Sequence, residues 1–441
     1  MIWHIIRYLT TFIMPAFYKK IIGNNIGNVQ IKGPVIIAMN HPNAFTDAIL
    51  FTFITFPVRV RYLARGDAFK PGFISWLLLQ IGIVPIFRIQ DGGREGLKKN
   101  DEAYKTVNNL LKRNGKIIVF AEGLCVQERR LRPLKKGVAR MVFGAYDYLN
   151  NDTLTVVPVG VNYSQPDKFR STVFFNIGEP IAVKDYMEAY KNSPAKANNL
   201  FLHDLEPKMK GLITHINNKE YDGAVLRMET LCKRNRITDQ GLNCHNLEHD
   251  YLVTKQITEK INQAEITHKE TLDEFNVKSD LYLKEVRNHK LRDWLVDVRQ
   301  SGPLNMGRVF TRFLIIIIGL PLYCAGLIGN YLPYKLTEKL TKKILKGNTE
   351  FYSSICICIG MVLAWCNYIL WFIIVYALSP NILMPILICL LFGIGGWFSL
   401  YFYFYIVKTL GLLRAVKNPA IINELKIKRN YLLSLINKLE E

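Results

Sequence analysis

Val35-Ile36-Ile37-Ala38-Met39-Asn40-His41-Pro42-Asn43-Ala44-Phe45-Thr46-Asp47 decides how the first part of this chain is read. Its first five residues are apolar and rich in β-branched side chains, which reads as a strand. Pro42 disfavours helical geometry at His41, and Asn43 is a residue type that caps helix N-termini. A helix is read over Asp47 to Phe56. His41 then stands exposed at a strand end, with Asp47 about one turn into the helix. A carboxylate so placed can fix the imidazole tautomer and stabilise the imidazolium, while the other ring nitrogen takes a proton from a hydroxyl. Alone, such a pair more often marks a structural histidine beside a helix cap.

Outward from this stretch, short apolar runs alternate with helical patterns. Strands are read at Val58–Leu63, Ile83–Phe87, Lys116–Phe120, Leu154–Val161 and Thr172–Ile177. Helices are read at Gly72–Ile81, Leu97–Arg113 and Gly137–Leu149. The alternation predicts an α/β domain over residues 31–183, with a mixed or largely parallel sheet covered by helices. Near-continuous Val and Ile in the strands fits a sheet buried on both faces.

The flanks differ in character. Residues 1–30 carry apolar positions at roughly helical spacing with Arg7, Lys19 and Lys20 near the ends, which reads as an interfacial helix and not a cleaved signal. Residues 184–305 are charged and helical, with few runs able to build a core, and read as an extension packed on the first domain. Residues 306–334 are apolar but broken by Pro321 and glycines, with basic residues on both flanks, and are expected to form a re-entrant or interfacial segment. Residues 355–407 read as a transmembrane hairpin, joined by an uncharged turn at Ser379-Pro380-Asn381. Residues 408–441 read as a basic cytoplasmic tail. Lysines before the hairpin and basic residues after it place both of its ends in the cytoplasm.

Composition narrows the class. The 441 residues are 50% hydrophobic and 12% aromatic, with 57 Lys and Arg against 36 Asp and Glu, a net charge of +21. That excess suits nucleic acid or an anionic membrane. Much of the aromatic content lies in the apolar C-terminal part, which favours membrane lipids and argues against nucleic acid. The eight cysteines show no disulfide framework. Cys232, Cys244, His245 and His249 lack the paired spacing of a zinc site.

Three further stretches complete a pattern with Asn40–Asp47. Gly82-Ile83-Val84-Pro85-Ile86-Phe87-Arg88 ends in an arginine, Val119-Phe120-Ala121-Glu122-Gly123 in Glu-Gly, and Val156-Val157-Pro158-Val159-Gly160-Val161 is broken by Pro and Gly. In order and spacing the four stretches resemble the sequence blocks of the glycerophospholipid acyltransferase family, which includes glycerol-3-phosphate and 1-acylglycerol-3-phosphate (lysophosphatidic acid) acyltransferases. The resemblance covers about Val35 to Pro180. It implies that His41 and Asp47 are the catalytic pair, and that Arg88, Glu122 and Gly123 shape the acceptor site. It also implies that the basic run with Arg129, Arg130, Arg132, Lys135 and Lys136 lies near the acceptor phosphate, where such side chains suit a dianion.

Two departures stand out. Five residues separate His41 from Asp47 where four are common in the family; the longer spacing resembles a subgroup of fungal glycerol-3-phosphate and dihydroxyacetone-phosphate enzymes. The third block has Ala121, Leu124 and Cys125 where Pro, Thr and Arg are usual. That removes one expected phosphate ligand and leaves Arg129, Arg130 or Lys135 to replace it. Cys125 as an acyl-carrying nucleophile is disfavoured, because the family transfers the acyl group directly.

The resemblance implies a membrane-bound enzyme that moves a fatty acyl group from acyl-CoA or acyl-carrier protein to glycerol-3-phosphate or 1-acylglycerol-3-phosphate. No metal or redox cofactor is expected. The active site is expected to face the cytoplasm, at the inner membrane if the source is bacterial. Acylation of another lyso-lipid, or a catalytically silent membrane scaffold, are the alternatives.

Overall fold

The computed structural model describes residues 10, 11, 13–66, 69, 72–86 and 103–440. They fall into two compact units, residues 1–215 with 348–354, and residues 216–347 with 355–441.

The first unit is built on one sheet. Among the described residues its strands are β1 (Lys20–Gly23), β2 (Val35–Met39), β3 (Val60–Arg65), β4 (Ile83–Ile86), β5 (Lys116–Phe120), β6 (Thr155–Tyr163), β7 (Thr172–Ile177) and the short β8 (Ile181–Ala182). The order is β1-β7-β6-β2-β5-β3-β4, with β8 on β6. Pairing is parallel except where β6 meets β7 and β8. This is the α/β fold with a mixed, mostly parallel sheet. β2 lies at its centre, in register with β5 (Met39 opposite Phe120) and β6 (Met39 opposite Val159). All five of its residues are fully buried, as five consecutive apolar residues require of a strand covered on both sides.

Helices cover both faces. Ile36 and Ala38 pack with Val107 and Leu111 of α3 (103–112), Val138 and Val142 of α4 (Lys136–Leu149), and Phe201 and Leu205 of α5 (Pro194–Gly211). On the opposite face, Phe51 of α1 (Ala44–Ile54) meets Phe175 of β7 edge-on at 5.5 Å. α2 (Phe73–Ile81) leads into β4 through Gly82, at φ +91°. Gly160 in β6 is needed for close approach: a Cβ there would lie 2.3 Å from the Leu212 carbonyl oxygen after α5.

Two expected boundaries move. Residues 20–23 are not part of an interfacial helix; they form edge strand β1, parallel to β7. An isolated reading sees the apolar Lys20–Gly23 as helix because it cannot see the partner strand 150 residues later. Residues 184–215 belong to the first unit, because α5 places Ala197, Phe201, Leu205 and Met209 on one stripe against the sheet core.

The second unit is helical: α6 (Leu247–Thr267), α7 (Lys269–Asn288), α8 (Met306–Leu345), α9 (Tyr352–Leu378, its first turn in the first unit), α10 (Leu383–Lys417) and α11 (Pro419–Lys438), with shorter turns between. It has a core of its own, in which Leu231, Ile257, Phe275 and Leu295 pack with Leu412, Leu425, Leu432 and Leu435. The segment expected to pack as an extension on the first domain instead supplies, from residue 216 on, half of this second core. The expected basic tail supplies the other half, because α11 buries an apolar stripe while its lysines stay outside. Arg429 on that stripe is buried between Asp293 and Asp297, at 3.1 and 2.9 Å.

Met306–Leu345, Thr349–Leu378 and Leu383–Lys417 are three helices long and apolar enough to cross a membrane. α8 is unbroken, with Pro321 and Pro333 inside it. This corrects the expected reversal within residues 306–334. An apolar segment gains nothing by opening its backbone, since each unpaired group in hydrocarbon costs several kcal/mol; the helix continues past proline instead. α8 and α10 run antiparallel in close contact. Gly326 lies against Gly395, and a Cβ on Gly326 would come within 2.2 Å of the Gly395 carbonyl oxygen. Asn330 donates to the Phe392 carbonyl, and Tyr368 of α9 donates to Asn330.

Candidate active site

The site sits at the C-terminal end of the parallel strands, where the chain leaves β2 and enters α1. His41 Nδ1 and Asp47 Oδ2 are 2.9 Å apart. The carboxylate can only accept, so Nδ1 carries the proton and Nε2 is left as the basic nitrogen. The His41 side chain is 16% exposed and that of Asp47 is fully buried. The ring stacks on Phe120 at the end of β5, with centroids 3.5 Å apart and planes 15° from parallel.

Asp47 is held from three directions. Besides His41, the Asn43 backbone N–H donates to Oδ2 at 2.8 Å, and the Tyr163 hydroxyl donates to Oδ1 at 2.6 Å. Asn43 occupies the expected cap position, but its side chain caps nothing. It donates instead to the Tyr18 hydroxyl and the Pro166 carbonyl. Ala44, in the turn between His41 and Asp47, adopts φ +36°.

Asn40 braces the base of the site. It accepts from the Val161 N–H at 2.7 Å and donates to the Val161 carbonyl at 3.1 Å, tying the ends of β2 and β6. Glu122 ties β2 to the loop after β5. Its two oxygens accept from the backbone N–H groups of His41 (3.3 Å) and Arg132 (3.2 Å). Burial raises the Glu122 carboxyl to about 7, against the lowering effect of those two bonds. Both its oxygens are thus engaged as a brace. Gly123 follows at φ +67°, with the Lys135 side chain 3.0 Å from where a Cβ would stand. Any other residue would be strained and would push Lys135 aside.

Cys125 accepts from the Ala44 N–H at 3.0 Å. Burial pushes its thiol up to about 12, so it is a neutral packing group at ordinary pH and no nucleophile.

The basic run forms the loop that Glu122 ties back to His41. Arg129 donates to the Ser164 carbonyl. Arg130 and Arg132 both pair with Glu128, at 3.4 and 3.1 Å. Lys135 and Lys136 are exposed at the start of α4. Arg88 lies outside the described residues. The structure thus brings His41, Asp47, Glu122, Gly123 and the 129–136 run around one strand end. Sequence reasoning missed Tyr163, Asn40, Phe120 and Tyr18. It also missed Asn348–Ser354, whose Ser354 and Ser353 hydroxyls bond to Thr46 (2.8 Å) and the Pro166 carbonyl (2.6 Å). The signal for Tyr163 was a polar tip at the end of an apolar strand read two residues too short.

The family model described as Acyltransferase matches residues 20–162. The chain is 38% identical over 96 residues to glycerol-3-phosphate O-acyltransferase 2 of Saccharomyces cerevisiae, covering 22% of this chain and 13% of that protein. It is 34% identical over 109 residues to glycerol-3-phosphate O-acyltransferase 1 of the same yeast, covering 25% and 14%. Those matches span about a seventh of the relatives' length. A solved structure, the 1-acyl-sn-glycerophosphate acyltransferase of Thermotoga maritima, aligns over 48% of this chain and 78% of its own, with TM-score 0.34 and 16% identity. The match to the Acyltransferase family model thus falls on residues 20–162, the segment that carries the His41–Asp47 pair.

Proposed function

We propose that this protein is a membrane-bound enzyme that transfers a fatty acyl group from acyl-CoA or acyl-carrier protein to the hydroxyl of glycerol-3-phosphate or 1-acylglycerol-3-phosphate. The observation that carries the reading is the His41–Asp47 pair at a strand end, with Nδ1 engaged and Nε2 left to the substrate. In this reading Nε2 takes the hydroxyl proton as the oxygen attacks the donor's thioester carbonyl. The tetrahedral intermediate is stabilised by backbone amides of the third block or by water. Its collapse forms the ester and expels the thiolate, which recovers the proton from His41. Asp47 stabilises the imidazolium in between. The reaction as written uses no metal or redox cofactor.

For the acceptor phosphate, Lys135, exposed with its side chain against Gly123, and the adjoining exposed Lys136 are the best-placed described cations. Arg129, Arg130 and, outside the described residues, Arg88 are further candidates. Glu122 serves this site indirectly, by fixing the loop that carries the basic run. The yeast relatives' names support glycerol-3-phosphate as acceptor; another lyso-lipid is the alternative. The subgroup with five residues between His and Asp is the reading that the spacing of His41 and Asp47 supports. We further place the catalytic domain in the cytoplasm, with residues 355–407 as a membrane hairpin.

The test is acyl transfer by the purified full chain in detergent, offering palmitoyl-CoA or palmitoyl-acyl-carrier protein against glycerol-3-phosphate and 1-acylglycerol-3-phosphate. Ester formation on at least one acceptor is expected. Turnover of neither phosphate acceptor, with transfer to a phosphate-free lyso-lipid, would overturn the acceptor assignment.

A further inference from the structure

We propose that Tyr163 is a positioning residue for the acid–base pair, the third member of a hydrogen-bonded chain Tyr163–Asp47–His41. The inference rests on the reading of His41 as the base. Its ground is geometric. The Tyr163 hydroxyl donates to Asp47 Oδ1 at 2.6 Å, a short bond of the kind a charged acceptor forms. Asp47 Oδ2, the other oxygen, receives His41 Nδ1 and the Asn43 N–H. The carboxylate is therefore shared, and what Tyr163 withdraws from it is not available to His41.

Tyr163 is the last residue of β6, one position beyond the segment matched to the family. Asn40 grips Val161 two residues earlier, so the strand that carries Tyr163 is locked to the strand that carries His41. The Tyr163 side chain is buried beside Tyr18, with ring centroids 6.1 Å apart. Burial and the neighbouring Asp47 charge hold both phenols neutral. Tyr163 is thus a fixed donor at every working pH and cannot itself serve as a base. The other titratable groups that feel Asp47 are Cys125, which stays neutral, and Glu122, which Tyr163 does not contact.

A chain of this kind has a consequence that mere packing lacks. Hydrogen bonds to a charged group stabilise it. Removing the Tyr163 donor concentrates the Asp47 charge on His41, so the imidazolium becomes easier to form. In Tyr163→Phe, which keeps the ring, protonation of His41 should tighten about three- to ten-fold, a shift of about half a unit to one unit to higher pH. The acid limb of the activity profile should move with it, and kcat should fall more than KM changes.

Two measurements test this. The first is an NMR titration of the histidine-labelled full chain in detergent, with His41→Ala identifying the His41 resonance. It needs no substrate. The expected result is an upward shift in Tyr163→Phe that disappears when Asp47→Asn is also present. No shift in a folded Tyr163→Phe protein, or an equal shift with and without Asp47, would overturn the proposal. The second is the pH profile of transfer from palmitoyl-CoA to whichever phosphate acceptor the unmodified chain uses. If His41→Ala retained turnover, the parent reading would fail; an inactive His41→Ala with an unmoved Tyr163→Phe titration would remove only the role of Tyr163.

Discussion

At the residue scale, Glu122 shows how a motif position can be legible while its task is not. Val119–Gly123 stands out in the sequence, yet only the fold reveals that the carboxylate accepts two backbone N–H groups, one of them from His41. Because its pKa is raised from 4.5 to about 7, the folded domain binds that proton more tightly than the unfolded chain does. Stability from this group is therefore fully present below about pH 4.5 and is lost as pH rises through about 7. The apparent Tm in detergent should fall between pH 5 and pH 8, and more steeply than in Glu122→Gln. Equal slopes would count against the burial effect. His41 and Asp47 were legible because their partnership is local, six positions apart. Tyr163, 116 positions from Asp47, was not, because nothing in a single strand states which face or which partner its hydroxyl meets.

At the element scale, Arg429 is the clearest case of a helix misjudged from charge. Residues 419–438 alternate lysines with apolar residues, and counting charge reads a tail. The helical period instead gathers Ile422, Leu425, Leu432 and Leu435 on one stripe, and that stripe completes the core of the second unit. Arg429 sits within it, also donating to the Leu231 carbonyl at 2.6 Å. Burial raises the Asp293 carboxyl against the pull of Arg429, so the pair is held under a desolvation cost. Arg429→Ala would leave Asp293 and Asp297 without their cation. It should destabilise the helical unit by about 3–5 kcal/mol, whereas Lys426→Ala on the solvent side should change it little. Chemical unfolding followed by the signal of Trp294, in a variant without the other tryptophans, would measure both. The strands were legible for the opposite reason: β2 and β5 are so uniformly apolar that only a sheet covered on both faces accommodates them. β2, β5 and β7 have the ends read from the sequence, whereas ends of β3, β4 and β6 moved by one or two residues, since apolar character continues into the neighbouring turns. α8 was misjudged because proline and glycine normally mark breaks in water, whereas a continuous apolar helix keeps them.

At the scale of the whole molecule, chain connectivity constrains how the protein meets the bilayer. Residues 348–354 pack beside the turn that carries His41 and Asp47 within the first unit, and the chain runs from His215 into the charged helices up to Asn305 without a membrane-spanning candidate. Val309 near the start of α8 and Leu412 and Ala415 near the end of α10 share one core. We expect positions 305 and 417 to lie on one side of the bilayer, because α8 runs antiparallel to α10 from Val309 beside Leu412 to Gly329 beside Phe392 and so lies at the same depth. Single cysteines at these positions, in a cysteine-free background, should both resist an impermeant thiol reagent in intact cells and react after permeabilisation. Labelling of one but not the other from outside would place them on opposite sides and contradict the shared depth. The central claim reduces to one nitrogen atom, Nε2 of His41. The direct measurement is transfer of palmitate to the phosphate acceptor by purified His41→Ala protein whose thermal unfolding matches that of the unmodified chain. Loss of turnover by roughly 10²–10⁴-fold is the predicted result; near-normal turnover in that folded variant would contradict the account.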